Sequence, residues 1–91
     1  LLSAVTVVRI LGAPVYDTVA GMAAGTTAQL VAVPYDANYA VIAGRPATWS
    51  SSDQAVATVS GTGLFRALSS GYAVITATVD GVLGRVGFRV Q

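Results

Sequence analysis

The stretch that decides the fold is residues 47–81, ATWSSSDQAVATVSGTGLFRALSSGYAVITATVDG. It contains short runs rich in Val, Thr and aromatic residues, and Gly, Ser and Asp separate each run from the next. Val, Thr and aromatic residues favour the extended backbone, whereas Gly, Ser and Asp are turn residues. The stretch therefore predicts several short strands joined by tight turns.

The clearest periodicity lies on either side of Asp80 and Gly81. Residues 72–79 alternate between two faces, and residues 84–90 do the same. Small and branched side chains pack well between two sheets, so we expect an inward face made of Ala73, Ile75, Ala77 and Val79. The outward face then carries Tyr72, Val74, Thr76 and Thr78. An Asp-Gly pair between two alternating runs is typical of a two-residue hairpin turn, and it predicts a hairpin here.

Extended runs also occur before this stretch. Residues 5–11, 15–19 and 26–33 are predicted strands, and each is followed by Gly or Pro turn signals. Helix signals are nearly absent, because the chain has no Lys or Glu and no long stripe of apolar residues at helical spacing. About seven short strands separated by regular turns predict an all-β sandwich.

The inventory of reactive groups argues against several functions. The chain has no Cys and no His, so disulfides, the usual zinc sites and Ser-His-Asp catalysis each lack an essential part. Its charged residues are five Arg and four Asp, with a formal net charge of +1, which gives no field for nucleic acid or an anionic membrane. We predict no enzyme, no cofactor, no metal ligands, no nucleic-acid partner and no membrane insertion.

Hydrophobicity is unusually high. Apolar residues make up 54% of the chain and charged residues 10%, against about 25% charged in typical soluble domains. The longest unbroken apolar run is residues 39–43, far short of the roughly 18 residues that a membrane-spanning helix needs. No signal peptide or initiating Met is visible, and we expect a processed product or a piece of a longer protein. The excess of apolar groups suggests that a partner covers part of the outer surface.

Several short motifs, in order, resemble the bacterial Ig-like domains of group 2, the modules of invasin- and intimin-like surface proteins. The motifs are GTTAQL at 25–30, DAN at 36–38, TWSSSD at 48–53, VATV at 56–59, GLF at 63–65, GYAVITA at 71–77 and DG at 80–81. The resemblance implies an immunoglobulin-like β-sandwich of about seven strands with Greek-key connections. It covers residues 22–90, so we expect an Ig-like domain at 22–91 and an N-terminal extended segment at 1–21. Tyr39 and Tyr72 depart from the family, which often has Gly and Thr there.

The resemblance also implies a noncatalytic role outside the cell. Such domains are spacers and adhesive units of bacterial surface proteins and occur in phage structural proteins, so we expect a cell-surface, extracellular or virion location. The favoured hypothesis is a structural module that packs against neighbouring domains or identical subunits. In a sharper version the first strand adds to the next subunit of a fibre, as β-strand addition requires an extended apolar segment. That segment carries Val5, Val7, Val8, Ile10 and Leu11.

The alternative is an adhesive module that recognises carbohydrate or a host protein. Tyrosines on loops make good contact surfaces, and Tyr35 and Tyr39 are the candidates. Tyr72 and Val74 form a second possible interaction surface, because an outward Tyr-Val pair is not what water favours. Asp36 and Asn38 have the alternate spacing of a calcium loop, but the Gly and closing Glu of an EF-hand are missing, so we expect no calcium site. Trp49 is expected to belong to the core.

Overall fold

The computed structural model describes residues 4–12, 21–42 and 44–91. These ranges contain eight strands and no helix, so the described part has no helix that could cross a membrane. The strands are β1 (Val7–Leu11), β2 (Thr27–Gln29), β3 (Val31–Tyr35), β4 (Thr48–Ser51), β5 (Ala57–Val59), β6 (Leu64–Ala67), β7 (Gly71–Val79) and β8 (Val82–Val90). The prediction of an all-β fold is confirmed. The strand expected at 15–19 lies outside the described residues.

The strands form two layers of antiparallel sheet. The first layer consists of two sheets, a two-stranded one in which β1 pairs with β3 and a three-stranded one with the order β2, β6, β5. The second layer has the order β4, β7, β8. The chain passes from the first layer to the second after β3, returns for β5 and β6, and crosses again to β7, which is a Greek-key path. This is the immunoglobulin-like sandwich that the sequence predicts.

β2 and β3 are two halves of one extended segment that changes partner at Leu30. The sequence predicts a single strand here, whereas the N–H of Leu30 donates to the carbonyl oxygen of Gly63 at 2.8 Å, between the β2–β6 and β1–β3 pairings. The alternation continues through the break, because Leu30 and Pro34 are both buried. Counted as one, the two halves give seven strands within the described ranges.

The hairpin between β7 and β8 matches its prediction. Val79 pairs with Val82, and the two residues between them, Asp80 and Gly81, have φ values of 50° and 81°. Positive φ at both positions is the geometry of a type I′ turn, whose twist fits the flanking strands. The residues predicted to point inward are all buried: Ala73, Ile75, Ala77 and Val79.

The core has two adjoining parts. The larger lies between β6 and the β7–β8 hairpin, where the ring centroids of Phe65 and Phe88 are 4.4 Å apart. The smaller contains Val5 and Val8 against Ala77 and Val79. Trp49 is half-buried and packs against both parts. The contacts of this smaller part place the beginning of β1 beside the hairpin turn. Gln91 lies at the opposite end of β7, because Gly71 pairs with Val90.

Candidate interaction surfaces

The outer side of β1 and β3 is largely apolar. The register pairs Val7 with Tyr35, Arg9 with Val33 and Leu11 with Val31, and we call these six residues the β1–β3 face. Leu11 is 42% exposed and Val31 51% exposed, while Arg9 is the single charged residue. The free side of an antiparallel sheet is normally polar, so this face is more apolar than a solvated sheet face usually is.

The turn that follows β3 is held by its first side chain. The Asp36 carboxylate oxygen Oδ1 accepts hydrogen bonds from the N–H groups of Asn38 at 2.8 Å and Ala40 at 3.0 Å. The N–H of Asp36 also donates to the carbonyl of Ala40 at 3.0 Å, and that of Tyr39 to the carbonyl of Asp36 at 3.0 Å. The Asp36 side chain therefore serves the turn, as Asx residues commonly do.

Tyr39 sits at the tip of this turn in an unfavourable backbone conformation. Its φ is 60°, in the left-handed region that costs an L-residue roughly 1–2 kcal/mol. Its side chain is 73% exposed, so burial does little to offset that cost. Val41, 61% exposed, forms a bridge with Tyr35 and continues the β1–β3 face toward the turn. Tyr39 lies in a turn as predicted, whereas the prediction of a loop for Tyr35 is wrong, because Tyr35 is the last residue of β3 and is half-buried. The two tyrosines lie at one end of the sandwich.

Replacing Tyr39 by Gly is expected to stabilise the chain. Gly adopts positive φ without steric cost, and the lost side chain has little packing. We expect Tyr39→Gly to raise the free energy of unfolding by roughly 1 kcal/mol, less the entropy that Gly adds to the unfolded state. Urea denaturation measures this. Tyr35→Gly is the control, because Tyr35 lies within a strand and its replacement is expected to destabilise. A loss of stability in Tyr39→Gly would show that the ring supports the fold.

Tyr72 and Val74 lie on the outer side of the other layer, away from Tyr35 and Tyr39. Tyr72 is 61% exposed and Val74 is half-buried. The Tyr72 ring leans over Gly87 on the neighbouring strand, where a Cβ atom would overlap its hydroxyl. An aromatic residue often covers a glycine in this way. The ring itself stays exposed, and the interaction surface at Tyr72 and Val74 stays a prediction.

The segment considered for strand exchange is divided between core and surface. Val5 and Val8 are buried, Val7 and Ile10 are half-buried and Leu11 is exposed. Its strand β1 is antiparallel to β3 of the same chain. Within one chain, this segment therefore completes the first layer, and its exchange between chains stays a prediction.

Sequence reasoning missed a groove on the outer side of β2, β6 and β5. Its volume is about 500 Å³, and its lining is Thr27, Thr58, Val59, Ser60, Leu64 and Arg66. We call it the Arg66 groove. Its only sequence signal is that exposed Arg66 stands between the inward residues Phe65 and Ala67, which says that Arg66 points outward but not what lies beside it.

The described charges are all at the surface. None of the described residues that are buried is polar or charged, and within the same ranges no three acidic residues come together as a possible metal site. Arg45 and Asp80 form an ion pair beside the hairpin turn, with side chains 26% and 43% exposed. The β1–β3 face and the Arg66 groove expose apolar groups, hydroxyls and guanidinium groups.

Comparison with known families adds one match. The sequence model of the bacterial Ig-like domain (group 2) fits residues 14–86. This range starts before β2 and ends within β8, and it leaves β1 outside. No curated protein matches the chain.

Proposed function

Because the chain belongs to the bacterial Ig-like domains of group 2, we propose that it is a structural module that packs against neighbouring copies through its β1–β3 face. Domains of this family typically occur in surface and extracellular proteins of bacteria, and they are generally noncatalytic. The observation that carries the proposal is the exposed apolar character of the β1–β3 face, with Leu11 opposite Val31.

The path of the chain suits a module in a row. The first described strand begins beside the hairpin turn, where Val5 packs with Val79, and Gln91 follows the last residue of β8 at the other end. The nine residues of β7 separate these ends, by about 30 Å at 3.4 Å per residue. The long dimension of the chain is 46 Å, against 21 and 17 Å for the others. Modules joined through such ends extend a protein lengthwise and leave their sheet faces free for lateral contact.

The size of the face sets the strength of the contact. Six outward residues at sheet spacings cover a footprint of roughly 200 Å², whereas a stable interface buries about 800 Å² on each partner. A single contact is therefore weak and readily reversible. Repeated modules on one polypeptide would combine many such contacts, because linkage raises the effective concentration of each.

Exchange of residues 5–11 between chains is a tighter form of the same assembly. It would transfer Val5 and Val8 into a neighbour's core, so release requires partial unfolding. Packing through the β1–β3 face, in contrast, reverses as soon as the protein is diluted. Sedimentation velocity of concentrated protein, repeated minutes after dilution, separates the two. We expect prompt return to monomer, and oligomers that survive dilution for hours would contradict face packing and indicate exchange.

An adhesive role is the second candidate, and Tyr39 favours it. This residue costs backbone energy and stays 73% exposed, which is reasonable if the ring contacts a ligand such as a glycan or a host protein. Strain kept at an exposed position is often connected with function. A glycan array tests this with the Tyr39→Gly variant: binding by the parent chain that the variant loses supports adhesion, and binding that is equal in both rejects this surface.

A further inference from the structure

We propose that the Arg66 groove is a binding site for the carboxylate-bearing sugar units of an acidic polysaccharide. The inference goes beyond the structural role and concerns a different surface from the β1–β3 face. The volume of the Arg66 groove, about 500 Å³, lies within the range of small-ligand sites.

Sheet register places a hydroxyl on each side of the Arg66 guanidinium. Thr27 on β2 and Thr58 on β5 are both directly opposite Arg66 on β6, so the three side chains form one row across the sheet. Neighbouring strands are about 4.8 Å apart, which makes the row about 10 Å wide. The exposed leucine of the next row, Leu64, and half-buried Val59 give the groove an apolar part.

The groups of this row are available to a ligand. Among the described residues, the Arg66 guanidinium and the hydroxyls of Thr27 and Thr58 have no hydrogen-bond or ion-pair partner. The neighbouring polar groups are occupied instead: the Ser60 hydroxyl bonds with the Thr62 hydroxyl at 2.9 Å, and the Gln29 amide donates to the carbonyl of Thr62 at 2.7 Å. The three side chains of the row can therefore donate hydrogen bonds to a ligand without breaking bonds within the protein.

Charge selects an anion for this site. A guanidinium can donate two parallel N–H bonds to one carboxylate, an arrangement stronger than neutral hydrogen bonding. The described acidic residues, Asp36, Asp53 and Asp80, lie in turns and none lines the groove. A ligand carboxylate would thus meet no competing negative charge there.

The hydroxyls and the adjacent strand edge favour a sugar over an acidic peptide. A uronic acid carries its carboxylate on a ring with hydroxyls on both sides, which suits Thr27 and Thr58, while its C–H face suits Leu64. A peptide that added to this sheet as a further strand would need the backbone of edge strand β5. Ala57 is unavailable there, because its N–H donates to Asp53 at 3.0 Å and its carbonyl oxygen accepts from the Ser51 hydroxyl at 2.7 Å.

The test is a titration of the 91-residue chain, followed through its amide NMR signals. The ligand is trigalacturonate. Galactose, which has the sugar ring but no carboxylate, and acetate, which has the carboxylate but no ring, are titrated separately for comparison. We expect shifts at Thr27, Thr58 and Arg66 with a dissociation constant on the order of 1 mM, weakened by added salt. Galactose and acetate are each expected to bind at least about tenfold more weakly, because each offers only part of the contact set.

Three variants complete the test. Arg66→Gln removes the charge and is expected to weaken trigalacturonate binding about tenfold or more. Arg66→Lys keeps the charge but not the paired N–H donors, and its affinity for trigalacturonate is expected to fall several-fold. Arg9→Gln, on the same outer side but at β1, is the matched control and is expected to bind like the parent. The proposal is overturned if Arg66→Gln binds as well as the parent or if Arg9→Gln loses as much. Acetate or an Asp-rich peptide shifting the same signals with equal affinity would overturn the sugar assignment.

Discussion

Replacing Phe65 by Ala is expected to remove about 3–5 kcal/mol from the free energy of unfolding, the range for a buried Phe. Phe65 is fully buried on β6, and its ring meets that of Phe88 on β8 at a centroid distance of 4.4 Å and an angle of 35°. The pair joins the two layers, because each ring comes from a different sheet. Ala would leave a cavity between the layers and would also end the contact between the rings, which adds about 0.5–1.5 kcal/mol beyond burial.

The adjacent residue provides the control for this prediction. Leu64 is on the same strand but points outward and is 47% exposed. We expect Leu64→Ala to cost less than about 1 kcal/mol, since surface changes usually have small effects. Urea denaturation of both variants at constant m-value gives the comparison. Similar losses for the two substitutions would mean that β6 does not face the core as described.

Replacing Gly84 by Ala is expected to cost about 3 kcal/mol, at the upper end for overpacking a core. Gly84 is buried on β8 opposite Ala77, and a Cβ atom there would overlap the carbonyl oxygen of Val8 on β1. The obstacle is backbone, which cannot rotate away as a side chain can. The layers would separate or β1 would detach, so hydrogen exchange at β1 is expected to accelerate together with the loss of stability.

Gly87 supplies the matched substitution on the same strand. There the nearest atom to an added Cβ is the hydroxyl of Tyr72, the end of a side chain that can swing into water. We expect Gly87→Ala to cost less than about 1 kcal/mol and to leave exchange at β1 unchanged. Equal destabilisation by the two changes, measured by thermal unfolding, would contradict the close approach of β1 to Gly84.

Local signals account for what the sequence predicted well. The β7–β8 hairpin depends on the alternation of inward and outward side chains and on an Asp-Gly pair that accepts positive φ. Both signals lie within twenty consecutive residues. The buried face of β7 follows from the same alternation. The interaction surface at Tyr72 and Val74 stays a prediction, and the position of the Tyr72 ring over Gly87 follows from strand pairing, which the local sequence does not determine.

Long-range register explains what the sequence could not supply. Thr27 is far from Arg66 along the chain, and nothing local says that the two lie opposite each other on adjacent strands. The break at Leu30 depends likewise on the carbonyl of Gly63. The β1–β3 face was not foreseen, since its apolar character emerges only when Leu11 is paired with Val31. Each of these features is fixed by a pairing and not by a local preference.

The most direct test of the structural role is sedimentation velocity over a concentration series. The parent chain is compared with Val31→Thr on the β1–β3 face and with Leu83→Thr, which alters a similarly exposed residue of the other layer, 49% against 51% exposed. We expect weak association in the parent and in Leu83→Thr, and its loss in Val31→Thr. A parent chain that stays monomeric at every concentration, or a Val31→Thr variant that associates equally well, would contradict packing through the β1–β3 face.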